Sequence, residues 1–149
     1  MEIYLCRVDN LSYLLLDNNV NANNENIDIN LQFYFPLQNK LIDNSEILNI
    51  NSDQRFHGAP YIDFMGTPAK TSTGLAQLAR KFNLPVLLGH VERTHGAHHE
   101  IVFDEFINIP HTDDANADEI NGMKLVNDAM GRIILKKPDE YLWLHKRWS

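Results

Sequence analysis

Four histidines and a glutamate, His90, His95, His98, His99 and Glu100, fall within eleven residues of this chain. Imidazoles and carboxylates so close in sequence raise two chemistries, metal binding and proton transfer. A metal needs three converging ligands, and His98 and His99 are neighbours in a segment that alternates like a strand, so they point to opposite faces. No cysteine flanks them and no His-Glu-x-x-His pattern occurs, so no metal site is expected. His95 and Glu100 have the His-x4-Glu spacing of a general base and its orienting carboxylate. The pair straddles a turn and a strand, however, and lacks the loop-to-helix setting that would bring both groups together. Arg7 and Asp53 are better placed, because each ends a predicted strand, and strand ends on one edge of an α/β sheet converge on a cleft. An acid and a guanidinium there can hold a polar or phosphorylated headgroup and support charge in a transition state; the competing reading is a structural salt bridge. Trp143 and Trp148 beside Lys146 and Arg147 suit a lipid interface, or equally a terminal helix docked on the core.

The elements that must position these groups follow from hydrophobic period and breakers. Met1–Val8 alternates as a strand, and a chain that opens inside a strand reads as the start of a fragment. Leu11–Leu16 is a short apolar run. Asp17–Asn30 is half asparagine, seven residues of 14, which favours turns and a solvated loop. Leu31–Pro36 is an aromatic extended run, and Ile47–Ile50 leads into Asp53. The stretch Ser52–Phe82 organises the chain: a loop with Gly58 and Pro60, an extended Tyr61–Met65, a turn at Gly66-Thr67-Pro68, and a helix entered at Thr71–Thr73. Leu75, Leu78, Ala79 and Phe82 share one face of that helix, which ends at Asn83 and Pro85. Val86–Leu88 has the look of a buried parallel strand. It continues past His90 to Arg93, turns at 94–97, and pairs as a hairpin with His98–Ile107, where Ile101, Phe103 and Ile107 alternate with polar residues. Asp118–Leu135 is the clearest helix, its stripe being Ile120, Met123, Val126, Met130, Ile133 and Ile134. Pro138–Ser149 reads as a last helix with Tyr141, Leu144, His145 and Trp148 on one face.

A net charge of −7 argues against a nucleic-acid surface. The single cysteine, Cys6, cannot form an internal disulfide, which fits a reducing compartment. There is no apolar run long enough to span a bilayer and no signal peptide, so membrane contact would be peripheral or supplied by another segment.

Asp53-Gln54, then 63–71 and 74–79, together with Pro138–Trp148 (PDEYLWLHKRW), resemble the late acyltransferases of lipid A biosynthesis, the lauroyl/myristoyl type. The closing block is similar to that family's Pro-Glu-Gln-Tyr-Leu-Trp-Leu-His-Arg-Arg-Trp signature. Arg93 fits too, and Tyr4–Asn10 resembles its Tyr-Arg-x-x-Asn-Asn-Pro element. The likeness is strong from Asn51 onward. It implies an α/β fold, the C-terminal portion of a glycerolipid-acyltransferase sandwich with a mixed sheet and flanking helices. On this resemblance the chain is a single truncated domain with an Asn-rich insert at 17–46. The reaction implied moves a fatty acyl chain from acyl carrier protein to a hydroxyl of a lipid A precursor, at the cytoplasmic face of an inner membrane. No cofactor is implied beyond the carrier thioester. Asp53 would be catalytic, and Arg7, Gln54, Phe64, Gly66 and Arg93 would contact substrate. The partners implied are acyl-acyl carrier protein, the lipid A precursor, a membrane surface and a missing N-terminal half. The family's His-x4-Asp/Glu base would lie upstream of Met1. The chain alone is therefore expected to be weak or inactive, or to be a noncatalytic remnant that binds a headgroup or membrane surface. An imidazole and a carboxylate side by side next to Asp53, in an open pocket, would overturn that expectation.

Overall fold

The computed structural model describes residues 2–5, 48–53, 55–144 and 146–148, with side chains from residue 50 onward. Arg7, Gln54, His145, the apolar run at 11–16, the Asn-rich segment and the aromatic run at 31–36 lie outside the described residues. Four strands, β1 (Glu2–Leu5), β2 (Leu48–Ile50), β5 (Val86–His95) and β6 (His98–Ile107), form one sheet in the order β2-β1-β5-β6. A separate hairpin joins β3 (Tyr61–Phe64) to β4 (Thr67–Lys70). The helices are α1 (Gly74–Phe82) and α2 (Ala115–Lys136), followed by a short 3-10 turn, Pro138–Glu140. The α/β class is as expected. The mixed sheet is not, because every strand pair among the described residues is antiparallel, Val86–Leu88 included. An apolar run reports burial on both faces and carries no information on strand direction.

α1 forms where its apolar period demands, with Leu75, Ala76, Leu78 and Ala79 buried. Asn83 ends it in the left-handed region at φ 51°, a conformation asparagine tolerates, and Leu84 N–H returns to the Ala79 carbonyl at 2.9 Å. α2 starts three residues earlier than its apolar stripe suggested, because Asp114 caps it by accepting the Ala117 N–H at 3.0 Å. The two helices are tied by Arg80, whose Nε donates to Asp118 at 3.0 Å. Asp118 is buried, and also accepts from the Thr112 N–H and hydroxyl at 2.6 and 2.9 Å. Burial alone would raise its carboxyl, but the Thr112 amide and Arg80 outweigh it and hold the group below its usual range. Together Phe64, Leu75, Leu78, Val86, Leu88, Met123, Val126 and Met130 make the core between the helices, β3–β4 and β5.

Two local expectations are corrected. The turn falls on Met65-Gly66, both at positive φ, which lets Thr67–Lys70 run back as β4 instead of continuing a loop. The C-terminal segment is not a helix beyond the 3-10 turn. Its tail runs through turns and is held by Arg147 and Trp148, which bind β4 and β3.

Candidate functional site

The site is built on β5. Its inward residues run Val86, Leu88, His90, Glu92, so one strand face passes from core to charge. His90 is only 9% exposed. Opposite it, β6 carries a bulge: Leu88 faces Glu105 and Gly89 faces Phe103, so Asp104 is the extra residue. A bulge re-aims side chains. Here Asp104 lies 2.7 Å from His90 Nδ1, while its neighbour Glu105 reaches Arg132 of α2. The bulge also reverses the strand's parity. Ile107 enters the core, whereas Ile101 and Phe103, expected on the same face, are more than a third exposed.

The other ring nitrogen, His90 Nε2, lies 2.9 Å from Glu92 Oε1, and the second oxygen of Glu92 accepts from Lys137 Nζ at 2.7 Å. Lys137 follows the last turn of α2, where a cation complements the helix dipole. Its ammonium and then His90 hold the Glu92 carboxyl below its ordinary range, and Glu92 in turn raises Lys137. This chain of contacts forms one wall of a cleft of about 270 Å³ whose lining includes Asp53, His90, Glu92, Lys137, Tyr141 and Leu142.

Tyr141 forms the inner part of the cleft. Its ring meets Phe64 edge-on at 6.5 Å and Trp143 at 5.0 Å. Its Oη is buried and has no hydrogen-bond partner among the described residues. Burial, and then the nearby Asp53 carboxylate, push this phenol up, with Arg147 acting in the opposite sense. Arg147 itself is fully buried. It donates to the Lys70 carbonyl and, at 3.1 Å, to Thr71 Oγ1, and its guanidinium sits 5.1 Å from the Phe64 ring centre. Burial lowers its pKa, while Tyr141 and Asp53 favour its charge.

Asp53 lines the cleft and lies within electrostatic reach of Tyr141 and Arg147. Phe64 is completely buried under Trp148, stacked at 5.4 Å, which makes it a packing residue and not a contact surface. Gly66 is the positive-φ residue of the β3–β4 turn, its N–H 3.4 Å from the Asp63 carboxylate. Arg93 is exposed and lines a neighbouring depression with His99 and Glu140, donating its N–H to Glu140 at 3.0 Å. Of the Trp and basic residues read as a lipid contact, Arg147 is inside and Trp148 packs on Phe64, while Trp143 and Lys146 are exposed, as are the neighbouring Leu142 and Leu144. His95 stacks on His98 at 4.3 Å, and Glu100 faces Glu92 across the ladder.

His90, Glu92, Asp104, Lys137 and Tyr141 were missed as site residues. Strand parity held the signal for two of them: Val86, Leu88, His90 and Glu92 share a face, so a charged pair had to meet the core. His90 and Glu92 line the cleft together with Asp53, whereas Asp104, 2.7 Å from His90 Nδ1, lies behind the ring and not among the lining residues.

Fold and cleft together define a small α/β domain with an ionic, partly apolar cleft between the end of β5 and the end of α2. The chain belongs to the bacterial lipid A biosynthesis acyltransferase family, whose sequence profile matches residues 40–149. No curated protein matches the chain. Among the described residues, no helix is long and apolar enough to cross a membrane.

Proposed function

We propose that the chain takes part in moving a fatty acyl group from acyl carrier protein to a hydroxyl of a lipid A precursor, and that the Asp53 cleft receives the acceptor. The observation that carries this reading is the convergence of Asp53, His90, Glu92, Lys137 and Tyr141 on one cleft. Its carboxylates outnumber its single lysine, so it suits a hydroxyl-rich sugar face better than a phosphate, because ionised carboxylates accept hydrogen bonds from hydroxyls and repel anions. The buried Tyr141 hydroxyl can donate to a ligand oxygen. Leu142, Trp143 and Leu144 are exposed next to the cleft and offer an apolar border for acyl chains and a bilayer surface. On this reading the protein works peripherally at the cytoplasmic face of the inner membrane.

Calorimetric titration of the chain with lipid A precursor in detergent micelles tests the reading. Saturable binding is expected, weakened about tenfold or more in Asp53→Ala, the scale of one charge-assisted hydrogen bond. Equal affinity in both proteins, or no binding by either, refutes the acceptor role of this cleft.

A further inference from the structure

We propose that β6 pairs with β6 of a second copy of this chain, antiparallel about a two-fold axis at Ile101, so that two domains share one continuous sheet. The inference stands apart from the cleft and assumes nothing about the reaction.

Among the described residues β6 is the last strand of its sheet, paired with β5 on one side only. Before the buried Ile107 every residue of the strand is exposed except Val102 and Asp104, which are half-buried. A strand edge presents a row of N–H and C=O groups, a template for another strand, and edges are commonly blunted by charges, prolines or bulges. Here the two irregularities of the β5–β6 ladder fall at Leu88/Gly89 and Arg93/His95. Between them residues 99–103 pair in unbroken order with 93–89. That run holds no proline and one carboxylate, Glu100, and its middle residue is Ile101.

The register follows from the side chains. Residues directly opposite on antiparallel strands share a face. His99, Ile101 and Phe103 lie opposite Arg93, Val91 and Gly89, on the face away from the core, whereas Glu100 and Val102 lie opposite Glu92 and His90, on the face toward α2. An axis at Ile101 sets this residue, 39% exposed in one chain, against its own copy. His99 then meets the partner's Phe103 on the outer face, and Glu100 meets the partner's Val102 on the inner face. Moving the axis to Glu100 opposes two carboxylates, and moving it to Val102 sets Glu100 against the partner's Asp104; like charges directly opposite destabilise a strand pair. An axis between two residues would set the outer face of one copy beside the inner face of the other. The axis at Ile101 therefore uses the whole regular run and opposes no like charges. It stands perpendicular to the sheet, which puts α2 and the Asp53 cleft of both copies on the same side. No residue of β6 lines that cleft, so pairing there does not consume it.

Sedimentation equilibrium and multi-angle light scattering of the full chain, over a hundredfold range of concentration, read the association. The parent should move from the mass of one chain toward twice that mass as concentration rises. Ile101→Lys places two ammonium groups on the axis and should weaken self-association by about a hundredfold or more, with an unchanged melt because the side chain is partly exposed. A second measurement decides the register and stands in if that variant does not melt cooperatively. In a Cys6→Ser background, Ile101→Cys should oxidise to a disulfide-linked dimer, because its two copies lie directly opposite, whereas Val102→Cys should not. A parent that keeps the mass of one chain at every concentration overturns the proposal. So does a dimer undiminished in folded Ile101→Lys, or cross-linking through residue 102 in preference to 101.

Discussion

Arg147→Met should cost this domain about 3 kcal/mol of folding stability. The guanidinium is fully buried and serves three acceptors, the Lys70 carbonyl, Thr71 Oγ1 at 3.1 Å and Asn127 Oδ1 at 3.5 Å. Methionine keeps most of the volume and removes the donors. Two good charge-assisted bonds contribute roughly 1.5–3 kcal/mol each, and the 3.5 Å contact adds little. The contact over Phe64 adds about 0.5–2 kcal/mol. Against this stands the recovered cost of burying a cation, several kcal/mol, partly relieved in the folded state by Asp53. The balance stays unfavourable because the acceptors remain buried after the substitution. Urea unfolding followed by far-UV circular dichroism reads it directly. With a slope of about 2 kcal/mol/M, the midpoint should fall by about 1.5 M. Arg147→Lys should lie between, since one ammonium cannot reproduce a planar fork. If Arg147→Met unfolds within about 0.5 kcal/mol of the parent at unchanged slope, the tail is not what locks β3–β4 to α2, and the argument fails.

Asp118 has its carboxyl held below the ordinary range by the Thr112 amide and Arg80, so its stabilisation is present above the unfolded value and lost as pH falls through the folded one. Asp118→Asn should therefore melt lower than the parent at pH 7, with the gap closing below about pH 4; a gap independent of pH contradicts the assigned partners. Gly66 sits at φ 81° with open space where a Cβ would go, so Gly66→Ala should cost about 1 kcal/mol from backbone strain alone, read as a lowered melting temperature. An unchanged melt would show that the turn relaxes. Serine at Leu142 and Leu144 together should reduce co-sedimentation with phospholipid vesicles while leaving the melt unchanged, because both side chains are mostly exposed. Undiminished sedimentation would place any bilayer contact elsewhere.

Much of this architecture was legible from residue pattern. The β5–β6 hairpin, α1 with its Leu75, Leu78 and Ala79 face, and α2 all follow from apolar period and breakers. Asp53 could be placed near a cleft because it ends an apolar extended run. What escaped depended on tertiary geometry. The direction of β5 is invisible to composition. β4 was hidden because Thr67-Pro68-Ala69-Lys70 has no strand propensity of its own and pairs only because the Met65-Gly66 turn returns the chain. Pro138–Trp148 has helical period, but tertiary contacts decide its path, with Trp148 on Phe64 and Arg147 in the β4–α2 interior. Asp104 read as an outward residue on an alternating strand, and no local cue announces one extra residue in a ladder. The familiar His-x4-Glu spacing drew attention to the hairpin tip, while the histidine with a carboxylate on each ring nitrogen stands further down the same strand.

The extra residue in β6 makes length, more than composition, the guarded property of that strand. Removing one position between Phe103 and Ile107 would rotate Ile107 out of the interior and carry Asp104 away from His90 in the same stroke. Gly96-Ala97, at the far end of the hairpin, bears no such coupling. Insertions should therefore be tolerated at the tip, whereas a single-residue change near Asp104 should cost both a stable interior and the contact between Asp104 and His90.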